Sequence, residues 1–460
     1  MANGNIDSEL KTFELSLIWK EAEYNFAFWE RLAGTLDWDK AYRDALPAVL
    51  KTDNLYDYYL ELMKFTALLR DGHTRVWMPK SVEELPDYMS KLPIMTRLIG
   101  GERVITNVKR SAADTVKRWS VIKRVNGLEM EEYAKKYIYP YIWHEKTDSA
   151  DFWIDKFLRS GKAGSQVELE MGNDGKVETA VLTRTYGATD WAYDTRGFVY
   201  DAKGTPGENL RQVYKSDSHC IAVTEDNIAV ITIDTMMNDN LPKEFSANLP
   251  LLETARGYVI DIRRNSGGNS THADAAAAAF IGGEFVNQRS LHPIHIGAYK
   301  AWARNQNFGD QSYEQIAAER GASDWREKCY KILKRAYYED TVSTHTCDGN
   351  SPVLSAPLVV LTSADTASVA EDFLITLDHA KRATIVGSAS FGSTGQPLTM
   401  DLESGGGFQI CTRHNLYPDG REFINIGVQP HIPCELTLDD YKNGIDSVMN
   451  RGLQAVREQF

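Results

Sequence analysis

The sequence predicts an α/β protein, and three stretches carry that prediction. Ile228–Ile233 (IAVITI), Gly257–Ile262 (GYVIDI) and Pro357–Thr362 (PLVVLT) are short, apolar, β-branched runs of the kind that form buried strands. Each leads into a helix-period segment: 242–252, the alanine-rich run after Gly267-Gly268, and 367–375. Strands alternating with helices build a parallel sheet, whose connections gather at the carboxyl edge of the strands, where ligands bind.

The last of these units organises the chain. Ser363 to Thr366 is small and polar, a turn with a capping residue, so the strand delivers Ser368 into the first turn of a helix. A hydroxyl there lies beside unpaired backbone N–H groups, which favour negative charge. An ordinary strand–turn–helix whose serine merely caps would read the same way, because the flanking glycines of a nucleophile elbow are missing. The second unit brings Asn265-Ser266-Gly267-Gly268 to the same sheet edge. Glycines lack Cβ, so their N–H groups can approach a substrate oxygen closely, as an oxyanion hole requires. A phosphate cradle is the competing reading, but neither G-x-x-x-x-G-K-[ST] nor G-x-G-x-x-G is present.

Upstream, residues 9–70 carry apolar positions at helical spacing and read as a small helical bundle within residues 1–80. It ends in LLRDGHTRVWMP, where Asp71-Gly72 signals a turn and His73 follows it. Residues 90–187 change character to short strands with one or two helices. Val121–Val125 reads as a strand, Asn126-Gly127 as a tight turn and Met130–Tyr137 as a helix, with a hairpin at Asn173-Asp174-Gly175. The order resembles a PDZ domain, its G-D-x-I-x-x-I-N-G signature reduced to W-S-V-I-K-R-V-N-G. That resemblance implies a module capturing extended peptides at a sheet edge. Residues 188–218 read as a polar linker or loop, the core runs over 188–460, and 286–350 reads as an insertion within it.

Composition narrows the partners. With 51 Lys plus Arg against 64 Asp plus Glu, the net charge is −13, which argues against nucleic acid or an anionic membrane. No run of eighteen apolar residues spans a membrane, and the polar, acidic N-terminus does not read as a secretory signal. Five cysteines without a C-x-x-C pair give no zinc or thioredoxin motif. His292 and His295 could suggest a metal pair, but Pro293 lies between them and no carboxylate stands nearby, so no metal or other cofactor is expected.

GYVIDIRRNSGG, TASVAED, FGSTGQP and GVQP, in that order, resemble the C-terminal processing peptidases and the tricorn-type serine peptidases. DGHT followed by a PDZ-like module is similar to the tricorn-like branch. The resemblance implies a ClpP/crotonase-like catalytic core behind an N-terminal helical bundle and a PDZ-like domain. It also implies a serine peptidase acting on peptide or unfolded protein, and it leans towards export to a bacterial periplasm or beyond, although the sparse cysteines equally fit the cytoplasm. Ser368, in Ser368-Val-Ala-Glu371, aligns with the nucleophile, with Val369 and either Gly267 or Gly268 as oxyanion donors. The processing branch's lysine is missing from Phe391-Gly392-Ser393-Thr394-Gly395, so His73 is the expected base. The family's third acid falls at Ile424. Glu422, two residues away and on the same face if the segment is a strand, is the expected substitute. Glu371 is its rival, and Ser393 stands in the vacated lysine segment. Two other readings stay open: a peptide- or ligand-binding protein of this fold without turnover, and a crotonase-like acyl-CoA enzyme using the paired glycines. In any peptidase reading, His73 and Ser368 must meet across nearly three hundred residues.

Overall fold

The computed structural model describes residues 6–143, 146, 148–173, 175–187, 190–193, 209–295, 297–334, 337–339, 344–346 and 353–460. Residues 1–5, Asp174 of the expected hairpin turn, most of the 188–218 segment and Cys347 lie outside them. The central sheet has seven strands in the spatial order Arg211–Lys215, Cys220–Val223, Ile228–Thr232, Gly257–Asp261, Leu358–Thr362, Thr384–Gly387 and Ile432–Pro433. The first two junctions are antiparallel and the following four parallel.

Every residue of Gly257–Asp261 and Leu358–Thr362 is buried, which explains why these strands read as unbroken apolar runs. Successive side chains point to opposite faces. Val259, Val359 and Leu361 meet Val448, Leu453 and Val456 of the last helix, while Ile260 and Val360 join Phe373 and Leu374 of the helix after Ser368. The 188–218 segment is not all linker: Arg211–Lys215 adds an edge strand, with a bulge between Gln212 and Tyr214. An edge strand needs only one apolar face, and its polar residues hid the alternation. The helix read at 367–375 runs from Val369 to His379, because Ser368 sits outside helical geometry.

Helices Ser8–Asn25, Trp38–Leu50 and Leu55–Ala67 are capped by Asp7, Asp37 and Asn54, whose side chains accept from the backbone N–H groups of Leu10, Lys40 and Asp57. Trp38 stacks on Phe65 with ring centroids 4.2 Å apart. A buried carboxylate, Glu14, accepts from Tyr58 Oη at 2.7 Å and from Ser404 N and Oγ, both at 2.7 Å. The Arg75–Trp77 strand then pairs antiparallel with Gly407–Cys411, Arg75 opposite Gln409. These contacts sew the N-terminal helices to the C-terminal strands and carry His73 to the core.

Residues 92–182 gather round their own apolar cluster, including Ile94, Ile105, Ile122 and Leu169. Five strands run in the order Ile94–Ile99, Glu102–Val108, Val121–Val125, Gln166–Asn173 and Lys176–Thr183. Beside the Ile94–Ile99 edge lies the helix Asp151–Arg159, whose Asp151 and Asp155 carboxylates accept from Leu98 N and Thr96 N. This part clasps the core through Arg97 Nη2 to Asp365 at 2.6 Å, Lys146 Nζ to the Ser390 carbonyl at 2.6 Å and Ser149 Oγ to the Phe391 carbonyl at 2.9 Å. Within 286–350, Tyr313–Arg320 and Asp324–Leu333 are helices over a small core of Ala303, Phe308, Ile316 and Cys329.

Candidate active site

The site forms where three loops meet at the carboxyl edge of the sheet. Ala367 N donates to the Asn265 carbonyl at 2.9 Å, Ser368 N to the Ser393 carbonyl at 3.1 Å, and Phe391 N to the Thr366 carbonyl at 2.8 Å. Ser368 itself has φ 56° and ψ −125°. A β-carbon disfavours that region, at a cost of about 1–3 kcal/mol, which the surrounding bonds must hold in place. The elbow is therefore sharp without the flanking glycines that the sequence lacks: Ala367 and Val369 stand on either side.

The glycines lie against this elbow. Gly267 has φ 99°, and a Cβ there would come within 2.6 Å of Ser368 Cβ and 2.8 Å of Val369 N. Gly268 has φ 151°, and a Cβ there would meet the Met236 backbone at 2.2 Å. Only glycine fits either position. The two N–H groups differ in their engagement. Gly267 N donates to Asn265 Oδ1 at 2.9 Å, whereas Gly268 N and Val369 N make no hydrogen bond among the described residues.

His73 reaches Ser368 across the N-terminal region, with Nε2 3.3 Å from Ser368 Oγ. Its Nδ1 lies 2.5 Å from Ser393 Oγ, and that hydroxyl is 3.2 Å from Asp71 Oδ1. The other Asp71 oxygen accepts from Thr74 Oγ1 at 2.6 Å and from His73 N at 3.2 Å. Asp71 is fully buried, and burial raises its pKa against the pull of His73 and its hydroxyl partners. Burial lowers the His73 pKa, opposed by Asp71 and assisted by Arg75. With the Nδ1 proton directed at Ser393 and the Ser393 proton at Asp71, Nε2 is free to accept from Ser368.

Glu371 acts from behind. Its Oε1 accepts from Ser390 Oγ at 2.5 Å and Gly392 N at 2.6 Å, and its Oε2 from Ser393 N at 3.0 Å and Ser368 N at 3.2 Å. One carboxylate thus fixes both the elbow and the loop carrying Ser393. Burial pushes its pKa up to about 7 even so.

Glu422 is not brought to His73. It is about half exposed and pairs with His414 Nε2 at 3.0 Å. The same-face expectation assumed a strand, but residues 421–423 are irregular and 424–426 form a turn, so positions two apart do not align. Asp71, expected only as part of a turn, is instead the acid that faces the imidazole through Ser393. The spacing D-G-H-T held the signal: Asp71 bonds Thr74 and the His73 N–H within one turn. Among the described residues, no group of three or more His, Cys, Asp or Glu side chains gathers as a metal site.

Residues 227–434 match the model of peptidase family S41. The chain is 24% identical over 205 residues to the carboxy-terminal-processing protease of Bartonella bacilliformis (strain ATCC 35685 / KC583 / Herrer 020/F12,63), covering 44% of this chain and 36% of that protein. It is 34% identical over 91 residues to the chloroplastic C-terminal processing peptidase of Tetradesmus obliquus, 20% of each chain. The matched stretches thus span about a third and a fifth of those relatives. The fold is similar to that of mature CPAF, with a TM-score of 0.70 at 14% identity over 98% of both chains. Residues 227–434 are thus similar to peptidase family S41, and the curated relatives that the chain resembles in part are C-terminal processing peptidases.

Proposed function

We propose that the protein is a serine peptidase that hydrolyses peptide bonds through an acyl-enzyme on Ser368. The observation that carries this reading is the 3.3 Å approach of His73 Nε2 to Ser368 Oγ, across 295 positions of sequence. Nε2 takes the Ser368 proton as Oγ attacks the peptide carbonyl carbon. The imidazolium so formed is stabilised through Ser393 by Asp71, a positioning role rather than a second proton transfer. The oxyanion of the tetrahedral intermediate accepts from Gly268 N–H and Val369 N–H, the two donors left unengaged, while Gly267 shapes the approach. Collapse of the intermediate breaks the C–N bond, and Nε2 returns its proton to the leaving amine. Water, deprotonated by the same nitrogen, then releases the acyl product.

The N-terminal helical bundle supplies the base, the ClpP/crotonase-like core supplies the nucleophile, and a PDZ-like module at 90–187 clasps the loop between them. Peptide addition along the Ile94–Ile99 edge would displace two carboxylates, since Thr96 N donates to Asp155 Oδ1 at 2.8 Å and Leu98 N to Asp151 Oδ1 at 3.0 Å. The substrate in this reading is peptide or unfolded protein, and the family resemblance favours an exported compartment over the cytoplasm. No helix among the described residues is long and apolar enough to cross a membrane.

Covalent labelling with a fluorophosphonate tests the reading. The intact protein should label, and Ser368→Ala and His73→Ala should not. Labelling that survives Ser368→Ala overturns it.

A further inference from the structure

Buried guanidinium groups in this protein come with acceptors. Arg263 is held by Asp261 and Asp446, and Arg382 by the carbonyls of Phe280, Leu354 and Ala356. Arg75 differs. It is half-buried, and its guanidinium makes no hydrogen bond or ion pair among the described residues. Its guanidinium carbon lies 5.9 Å from the ring of Trp143 and 5.8 Å from that of Trp153. Indole faces attract a cation but leave all five N–H donors at the guanidinium edge without acceptors. A half-buried guanidinium flanked by indole rings is a preorganised fork for a carboxylate, whose paired oxygens match its N–H donors.

The position is suggestive as well as the chemistry. Arg75 follows His73 by two residues, and its charge is felt at the imidazole. The indoles beside it belong to the segment that clasps the Ser390–Phe391 loop. We propose that Arg75 is a specificity residue that receives a carboxylate of the bound peptide close to the scissile bond. This rests on the reading of Ser368 and His73 as the peptidase pair. The carboxylate is either an Asp or Glu side chain or the peptide's C-terminus. Both present the same planar pair of oxygens to the fork. In a chain of net charge −13, such a fixed cation selects anionic peptide locally against general repulsion.

Binding to full-length Ser368→Ala protein tests this without turnover. The probes are four pools of random dodecapeptides, with Asp and Glu present or omitted, and with the C-terminus free or amidated. The carboxylate-free pool should be retained at least about tenfold less than the pool carrying both carboxylate sources. Whichever single-source pool is retained identifies the carboxylate. Adding Arg75→Gln should erase the difference, and Arg75→Lys should keep part of it. Equal retention of the carboxylate-free pool overturns the proposal without needing any Arg75 variant. So does unchanged preference in a folded Arg75→Gln protein. Failure of the peptidase reading would appear separately, as absent fluorophosphonate labelling of the wild type.

Discussion

The imidazole of His73 meets the hydroxyl of Ser393 at 2.5 Å through Nδ1, on the side of the ring away from Ser368. A hydroxyl, not a carboxylate, therefore faces the proposed base, and Asp71 lies one bond further back at 3.2 Å. Ser393→Ala should slow fluorophosphonate labelling by about 10–100-fold, since a lost orienting bond to a charged intermediate is worth roughly 1.5–3 kcal/mol. Asp71→Asn should cost as much or more, and the double variant less than the sum, because the two act as one unit. Labelling of Ser393→Ala within twofold of wild type would remove the relay from the mechanism.

In the proposed mechanism, proton affinity at His73 sets the acid limb of activity. Burial lowers its pKa below the ordinary 6.5, and Arg75 adds to the lowering. The base thus stays neutral further into acid than a free imidazole. The labelling rate should fall with a midpoint below pH 6.5, and Arg75→Gln should move that midpoint upward by removing a nearby positive charge. A midpoint above 6.5 in the wild type would contradict the desolvated environment.

Glu371 couples the elbow to folding stability. Its folded pKa of about 7 exceeds the ordinary 4.5, so the native state binds the proton more tightly than the unfolded chain. Its contribution is fully present below pH 4.5 and is lost as pH rises towards and through 7, at a cost of about 3 kcal/mol. Asp372, pushed up by burial to about 6, acts in the same direction. Denaturant unfolding at pH 5 and pH 8 should show a smaller difference in Glu371→Gln than in wild type. Glu371→Gln should also be less stable at pH 5, because an amide offers N–H donors where the fold presents donors. Equal pH slopes in the two proteins would refute the assignment.

The parts of this site that can be read from sequence are those fixed by local pattern. Leu358–Thr362 is apolar throughout because both faces of the sheet are covered, and Gly267-Gly268 marks a close backbone approach. Both are legible in the sequence alone. His73 was legible only through its turn and the resemblance. No periodicity states that Arg75–Trp77 pairs with Gly407–Cys411, the contact that carries the imidazole across. The strained φ of Ser368 was hidden because tertiary bonds, not glycines, impose it. Asp71 was hidden because a turn aspartate and a charge-stabilising aspartate look the same until burial separates them.

Glu422 gives the sharpest contrast between the two kinds of reading. By position it approximates the family's acid, but its carboxylate is half exposed and bound to His414 at 3.0 Å. The residue in the expected slot, Ile424, is buried and apolar. Glu422→Gln should therefore leave the labelling rate within about twofold and cost no more than about 1 kcal/mol of stability, as for other partly exposed pairs. Asp71→Asn, measured beside it, should lose at least about tenfold, the loss argued above for the relay. A carboxylate that charges the imidazole must sit in low dielectric, and only Asp71 of the two is withdrawn from solvent. If the order were reversed, with Glu422→Gln failing to label and Asp71→Asn labelling near normally, the working enzyme would have to bring the 421–426 segment round to His73, and the relay through Ser393 would be a resting arrangement.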